Sequence, residues 1–136
     1  MDLVRLSVET TARTELVDVT GRVRQVVRAS GVASGLCWVS CPHTTAGLTL
    51  NENADPDVGH DLLLALENAV PPRAASGRYR HGEGNSDAHV KASLTGSAQV
   101  LAVEGGELVL GTWQGVFLCE FDGPRRRTVQ VKVMAG

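Results

Sequence analysis

Residues 97–134, SAQVLAVEGGELVLGTWQGVFLCEFDGPRRRTVQVKVM, decide the fold class of this chain. They contain four strand-like runs, which are SAQVLAV, ELVLGTW, GVFLCEF and RTVQVKVM. Glycines and the Asp-Gly-Pro sequence at 122–124 separate these runs, and such residues are typical of turns between neighbouring strands. The carboxyl-terminal part of the chain is therefore predicted to form an antiparallel sheet.

The two main helices are predicted earlier in the chain. The elements predicted before residue 97 are strands over about residues 3–10, 35–41 and 45–52 and helices over residues 18–31 and 55–70. Asp55 and Pro56 suit the N-cap and the first position of the second helix. Helices followed by a run of strands indicate the α+β class, so residues 1–136 are predicted to form a single domain with a largely antiparallel or mixed sheet.

The second helix leads into the only long stretch without hydrophobic periodicity. The apolar stripe of that helix is predicted to face the core and comprises Val58, Leu62, Leu66 and Ala69. Residues 71–87, PPRAASGRYRHGEGNSD, follow as a loop, and loops of this length in compact domains are often functional. Asp87 is predicted to cap a short helix over AHVKASL that Gly96 ends.

Composition excludes several classes of protein. Of the 136 residues 43% are hydrophobic and 21% are charged, and the net charge is −2, so no global positive field attracts nucleic acid or an anionic membrane. No apolar run approaches the roughly 20 residues that span a bilayer. The amino-terminal sequence MDLVRLSVET lacks the features of a signal peptide, so a cytoplasmic location is predicted.

The segment SCPHTTAGLTLNEN, residues 40–53, carries polar groups that a strand does not need. Strand alternation places Ala46, Leu48 and Leu50 on one apolar face, which ends at Glu52. A carboxylate at the end of an apolar row is costly unless it is paired or acts as a ligand. The alternative is that the strand ends there and Glu52 is solvated.

Three of the four histidines are placed where a metal site is plausible. His43 enters the third predicted strand, His81 lies in the long loop, and His89 lies in the first turn of the short helix. Imidazole nitrogens are the commonest protein ligands for zinc, and three of them leave one coordination position open. His60 lies beside the helix stripe and is predicted to be solvated. Spacing alone also fits three unrelated histidines, since the chain has no HExxH and no CxxC motif.

Two further features have both a structural and a functional interpretation. Trp113 lies between glycines in GTWQG and is either a lid on the core or a platform for ring stacking. The run Arg125-Arg126-Arg127 is either a solvated corner of a hairpin or a phosphate-binding group, for which the guanidinium fork is suited.

Three blocks of the sequence resemble the YjbQ family, whose members are also called secondary thiamine-phosphate synthases. The blocks are HTTAGLTLNENADPDV, YRHGEGNSDAHVKASLTGS and GTWQGVFLCEFDGPRRR. This resemblance implies an α+β protomer that assembles into a homotrimer, with a site near the subunit boundaries. It also implies that zinc or another divalent metal is bound by His43, His81 and His89.

The resemblance implies a weak transferase activity that joins a pyrimidine pyrophosphate to a thiazole phosphate. The residues predicted to act in catalysis are Glu52, Asn53 and Gln114. The residues predicted to bind the phosphorylated substrate are Thr44, Thr45, Lys91, Ser93, Trp113, Arg125 and Arg126. Two alternatives remain, which are a metal-assisted hydrolase of a small phosphorylated substrate and a trimeric metal- or ligand-binding protein without enzymatic activity.

The two ends of the third predicted strand are expected to have separate roles. His43 and Glu52 would lie roughly 30 Å apart on a straight strand, too far for one site within one subunit. His43 is therefore predicted to act as a ligand. Glu52 is predicted either to cap the helix that begins near Asp55 or to take part in a subunit contact.

Overall fold

Two antiparallel sheets and three helices make up the computed structural model, which describes residues 2–136. The strands are β1 Val4–Glu9, β2 Glu15–Asp18, β3 Ser34–Ser40, β4 Ala46–Glu52, β5 Ala98–Glu104, β6 Glu107–Leu108, β7 Gln114–Glu120 and β8 Arg126–Ala135. The helices are α1 Thr20–Ser30, α2 Pro56–Ala69 and α3 Ser86–Thr95. The α+β class and the antiparallel pairing are confirmed, the predicted short helix is present as α3, and a second sheet is found in addition.

The strand order differs from the chain order in both sheets. The larger sheet has the order β1-β8-β3-β5-β6, and the smaller sheet has the order β2-β7-β4. Apolar side chains of both sheets and of α1 form one core, which includes Val27, Val39, Leu48 and Val129. The start of β4 lies beside the end of β7, because Ala46 pairs with Glu120.

Helix α1 begins after a short strand that the sequence pattern does not reveal. Residues 15–18 form β2, and Asp18 Oδ1 accepts hydrogen bonds from the backbone N–H and the hydroxyl of Thr20, at 2.9 and 2.5 Å. Thr20, which is the expected cap of this helix, is instead its first residue, and Val19 occupies the N-cap position. Gly31, at φ 70°, ends the helix in the left-handed region that favours glycine.

Helix α2 begins as predicted but does not pack as predicted. The Asp55 side chain accepts a hydrogen bond of 2.9 Å from the N–H of Asp57, and Pro56 occupies the first turn. No residue of α2 is fully buried, and of the predicted inward stripe Val58, Leu62 and Leu66 are partly buried while Ala69 is exposed. The helix lies on the surface of the protomer, where Leu63 and Leu66 pack partly against a small cluster around Phe121.

Helix α3 is positioned by close contact with β4. A Cβ on Gly47 would lie 2.2 Å from Thr95 Oγ1 and 2.7 Å from the Gly96 carbonyl, so only glycine allows this approach. The Leu48 N–H also donates to the Gly96 carbonyl at 3.0 Å. The N-cap residue of α3 is Asn85 rather than the predicted Asp87, which lies buried in the first turn.

The predicted strand ELVLGTW is shorter in the structure, where only Glu107 and Leu108 form β6.

None of the helices in the described part of the chain is long and apolar enough to cross a membrane.

Candidate functional site

A cavity of about 450 Å³ brings together polar side chains from three separate segments of the chain. The segments are the approach to β4, the loop that enters α3, and the turn between β7 and β8. The lining residues are Pro42, His43, Thr44, Thr45, His81, Glu83, Asn85, His89, Asp122, Arg125 and Arg127. We call this cavity the histidine–arginine pocket. All three histidines predicted as ligands line it, as do the predicted substrate-binding residues Thr44, Thr45 and Arg125.

His43 is half-buried and its Nε2 atom is already engaged. The backbone N–H of Thr128 donates to Nε2 at 2.9 Å. Burial, and then the nearby charge of Arg127, lower the pKa of His43 below its ordinary value, so the ring is neutral at pH 7. A neutral ring that accepts at Nε2 carries its proton on Nδ1. His43 therefore has an N–H donor at Nδ1, and it has no lone pair left for a metal in this arrangement.

His81 and His89 form the second histidine group of the pocket. Their ring centroids lie 5.3 Å apart with the planes at 86°, an edge-to-face contact. His81 Nε2 lies 3.7 Å from Glu83 Oε2. In the part of the chain that the structure describes, no three His, Cys, Asp or Glu side chains are close enough to bind one metal ion.

A buried ion pair, Arg127 with Glu120, forms one wall of the pocket. Arg127 Nε donates to Glu120 Oε1 at 2.9 Å, Nη2 contacts Glu120 Oε2, and Nη2 also donates to Thr45 Oγ1 at 2.9 Å. Burial raises the pKa of Glu120, but hydrogen bonds from Arg127, Thr10 and the Asp122 N–H outweigh it and hold the pKa below its ordinary value. The carboxylate thus stays ionised and fixes the guanidinium at the pocket.

Asp122 organises the opposite wall. Its Oδ2 accepts hydrogen bonds from Asn85 Nδ2 at 2.8 Å and from Arg125 Nη2 at 3.1 Å. Burial raises the pKa of Asp122, but the hydrogen bonds from Asn85 and Arg125 lower it below its ordinary value overall. The amide of Asn85 and the guanidinium of Arg125 are therefore neighbours held by one oxygen.

Four of the predicted substrate-binding residues lie outside the pocket, which are Lys91, Ser93, Trp113 and Arg126. Lys91 is 1% exposed, and its ammonium donates to Glu67 at 2.5 Å and to Asp87 at 3.2 Å, so it is not available to a substrate. Arg126 is exposed and pairs with Glu9 at 2.6 Å. Ser93 lines an adjoining cavity with His43 and His89, and its hydroxyl donates to the His89 carbonyl at 3.1 Å.

The predicted catalytic residues lie at the other end of β4. Glu52 and Asn53 line a different cavity of about 340 Å³, together with Asp18 and His60. Since Asp55 itself caps α2, Glu52 does not have the capping role predicted for it. The structure therefore does not bring the predicted catalytic carboxylate to the histidines.

Trp113 and Gln114 also lie away from the histidine–arginine pocket, beside the end of β4. Gln114 is opposite Glu52 in the pairing of β7 with β4, and its Oε1 accepts a hydrogen bond of 2.8 Å from the Gly111 N–H. Trp113 is 63% exposed, which excludes the interpretation as a core lid.

Three residues of the site were missed by the sequence analysis, which are Asn85, Glu120 and Asp122. Arg127 was singled out with the arginine run, and strand alternation separates it from Arg126. Asn85 and Glu120 gave no local signal, because their partners Asp122 and Arg127 lie 37 and 7 residues away.

Over nearly its whole length the chain is similar in sequence to known proteins. The family model described as UPF0047 protein YjbQ-like matches residues 4–136. UPF0047 protein YugU of Bacillus subtilis is 48% identical over 132 residues, which cover 97% of this chain and 98% of that protein. A UPF0047 protein of Methanocaldococcus jannaschii is 46% identical and covers 97% of this chain and 94% of its own.

Solved structures of similar proteins share the fold of this chain. A YbjQ-like protein of unknown function from Sulfolobus solfataricus superposes with a TM-score of 0.93 at 33% identity, covering 99% of this chain and 97% of that chain. An uncharacterised YjbQ/UPF0047 protein from Clostridium acetobutylicum gives a TM-score of 0.91 at 50% identity, with 96% and 99% covered. None of these names states an activity.

Proposed function

This chain belongs to the YjbQ-like UPF0047 family, and we propose that its histidine–arginine pocket binds a small phosphorylated molecule and promotes group transfer from it. The observation that carries the proposal is the convergence of His43, His81, His89, Arg125 and Arg127 on one cavity of about 450 Å³. A cavity of this size is within the range of small-molecule sites. Imidazoles for proton transfer and guanidinium groups for phosphate oxygens are the groups that phosphoryl and pyrophosphoryl chemistry uses.

Anion binding in this pocket would depend on hydrogen bonds rather than on a net positive field. Arg127 is paired with Glu120 and Arg125 with Asp122, so each guanidinium charge already has a carboxylate partner. The Nη1 atom of each arginine, however, makes no hydrogen bond to any residue between 2 and 136. These two Nη1 groups and the Nδ1–H of His43 supply donors for phosphate oxygens.

The resemblance to secondary thiamine-phosphate synthases suggests the reaction. In that transfer the carbon–oxygen bond to pyrophosphate breaks while the thiazole nitrogen forms a bond to the same carbon. Arg125, Arg127 and His43 would stabilise the charge that develops on the departing pyrophosphate. We assign no step to Glu52, Asn53 or Gln114, because they line or border a different cavity.

A divalent cation such as zinc is a separate part of the proposal. Neutral imidazoles suit zinc, and the adjacent rings of His81 and His89 make no ring-nitrogen hydrogen bond within residues 2–136, although His81 Nε2 lies 3.7 Å from Glu83 Oε2. Two protein ligands are fewer than the three or four of most zinc sites, so water, substrate or another copy of the chain would complete the set. A metal there would polarise a phosphoryl oxygen. His43 is left out because its Nε2 accepts the Thr128 N–H.

Turnover measurements test the proposed function and separate it from the alternatives. We expect thiamine phosphate to form slowly from the pyrimidine pyrophosphate and the thiazole phosphate, and His89→Ala and Arg125→Ala to lower the rate at least about tenfold. Turnover of simple phosphate esters instead, lost with chelator, would indicate the hydrolase. No turnover in either assay, with or without added zinc, would indicate a binding protein.

Pyrophosphate is expected to raise the melting temperature of the protein. A ligand that binds only the folded state at 100 times its Kd stabilises that state by about 2.7 kcal/mol, which is several degrees for a domain of this size. Arg125→Ala should remove most of this shift. Arg126→Ala is the matched control, since Arg126 is exposed, pairs with Glu9 and lies outside the pocket. An equal loss of the shift in both variants would contradict the assignment.

Homotrimer formation is also proposed, and an exposed apolar face of the larger sheet supports association. Leu36 lies opposite Met134 on one side and Ala102 on the other, and Val100 lies opposite Trp38. Leu36, Val100 and Met134 are each about half exposed. Contiguous apolar patches on a protein surface mark interaction sites. The number three comes from the family resemblance.

Sedimentation is expected to give a mass of about three times 14.4 kDa. Leu36→Glu should shift the protein to the monomer at micromolar concentration, because it places a charge in the proposed interface. Leu94→Glu is the control, since Leu94 is a similarly exposed leucine but lies on α3. A wild-type monomer would refute the trimer.

A further inference from the structure

Asn85 Oδ1 is buried in the structure and has no partner. Asn85 is 7% exposed and lines the histidine–arginine pocket. Within residues 2–136 it carries the only buried side-chain oxygen or nitrogen that makes no hydrogen bond. Buried polar atoms are nearly always satisfied, and an unsatisfied acceptor costs stability, so such an exception calls for a missing partner.

The orientation of the amide leaves no partner for this oxygen within the protomer. Nδ2 must face Asp122 Oδ2, at 2.8 Å, because only the NH₂ group can donate to that carboxylate. The low pKa of Asp122 keeps the carboxylate ionised, so turning the amide over would set two oxygens against each other. The free atom is therefore the oxygen.

The Asn85 side chain does not cap α3, although Asn85 occupies the N-cap position. It is the N-cap residue of α3, where asparagine is among the preferred residues because its oxygen accepts an N–H of the first turn. In this structure the side chain makes no capping hydrogen bond. The side chain is held by Asp122 on the pocket wall instead.

From these observations we propose that Asn85 is a specificity-determining residue, whose Oδ1 accepts a hydrogen bond from an N–H or O–H group of the bound molecule. This inference rests on the proposed function and adds the chemical class of ligand. The ligand carries a hydroxyl or amino group within a few bonds of its phosphate, because Arg125 and Asn85 are held by the same Asp122 oxygen. A fully ionised phosphate group, which has no O–H, would satisfy the arginines and leave Oδ1 unpaired.

Matched phosphonates test the inference in the full chain. Hydroxymethylphosphonate and ethylphosphonate differ by a hydroxyl in place of a methyl group, and 2-hydroxyethylphosphonate and propylphosphonate form a second pair that reaches one methylene further. Calorimetry should show at least one hydroxyl compound binding the wild-type protein about tenfold more tightly than its alkyl partner. In Asn85→Leu the affinity ratio between the hydroxyl and alkyl members of each pair should fall to within about twofold of one, even if the loss of the hydrogen bond to Asp122 weakens both members. A merely structural role would weaken binding of both members of a pair equally.

The outcomes separate this inference from the proposed function. Equal wild-type binding within both pairs overturns the role of Asn85 and leaves the phosphate pocket in place. A hydroxyl preference that persists in Asn85→Leu, or in Asn85→Ala should the leucine variant not fold, overturns it as well. No binding of any phosphonate to the wild-type protein removes the proposed function, and the inference with it.

Discussion

Arg127→Met is expected to lower the free energy of unfolding by about 3–5 kcal/mol at pH 7, because it leaves the buried Glu120 carboxylate without its guanidinium partner. Arg127 also donates to Thr45 just before β4, so the substitution also removes a hydrogen bond between β8 and the segment that leads into β4. Urea denaturation of wild type and variant at equal protein concentration measures the difference.

The same variant should show a characteristic pH dependence. In the wild type the pKa of Glu120 is below its ordinary value, so its stabilising contribution is present above the unfolded-state pKa and is lost as the pH falls through the folded-state pKa. Without Arg127, burial dominates and raises the pKa of Glu120, so the variant is penalised most where the carboxylate is ionised. The stability gap should therefore be widest near pH 7 and should shrink as the pH falls toward about 4.

Arg126→Met is the control for this prediction. Arg126 directly precedes Arg127 on β8. It is exposed and its partner Glu9 lies at the surface, so the expected loss of unfolding free energy is below about 1 kcal/mol. Equal losses of unfolding free energy in the two variants would contradict the larger stabilising role assigned to the buried Arg127–Glu120 pair.

Lys91→Met is expected to cost about 3 kcal/mol and to leave the binding of pyrophosphate intact. The ammonium of Lys91 is buried between Asp87 and Glu67, and its removal leaves Asp87 with Arg13 as its remaining partner. Because Lys91 does not line the histidine–arginine pocket, the rise in melting temperature with pyrophosphate should persist in the variant.

Glu67, the partly exposed partner of Lys91, provides the control substitution. Glu67→Gln removes only a partly exposed carboxylate and should cost less than about 1 kcal/mol. A Lys91→Met protein of normal stability that no longer responds to pyrophosphate would restore Lys91 to the role of substrate ligand that its sequence position suggested.

Local signals in the sequence account for most of the fold. The alternation in residues 46–52, the glycine at 31 and the Asp55-Pro56 pair each act through neighbours in the chain, and each has the structural role predicted for it. The short strand β2 was missed because its four residues form a strand only by pairing with β7, about 100 residues later. The predicted stripe of α2 is only partly buried, because an amphipathic pattern shows that a face is apolar and not how completely it is covered.

The site was predictable in its residue types more than in its grouping. His43, His81 and His89 could be singled out from their positions, and the structure places them around one cavity. Lys91 was expected to bind substrate but is buried in ion pairs, because its partner Glu67 lies 24 residues away on another helix. The orphaned oxygen of Asn85 has no sequence signal at all, since an N-cap asparagine predicts a satisfied one.

A crystal structure of the protein grown with pyrophosphate tests the central claim most directly. The account predicts the anion in the histidine–arginine pocket, with oxygens within hydrogen-bonding distance of Arg125 and Arg127 and with the Lys91 ammonium still paired to Asp87. Pyrophosphate bound instead beside Glu52 and Asn53 at the other end of β4, or absent from the pocket at saturating concentration, would contradict it.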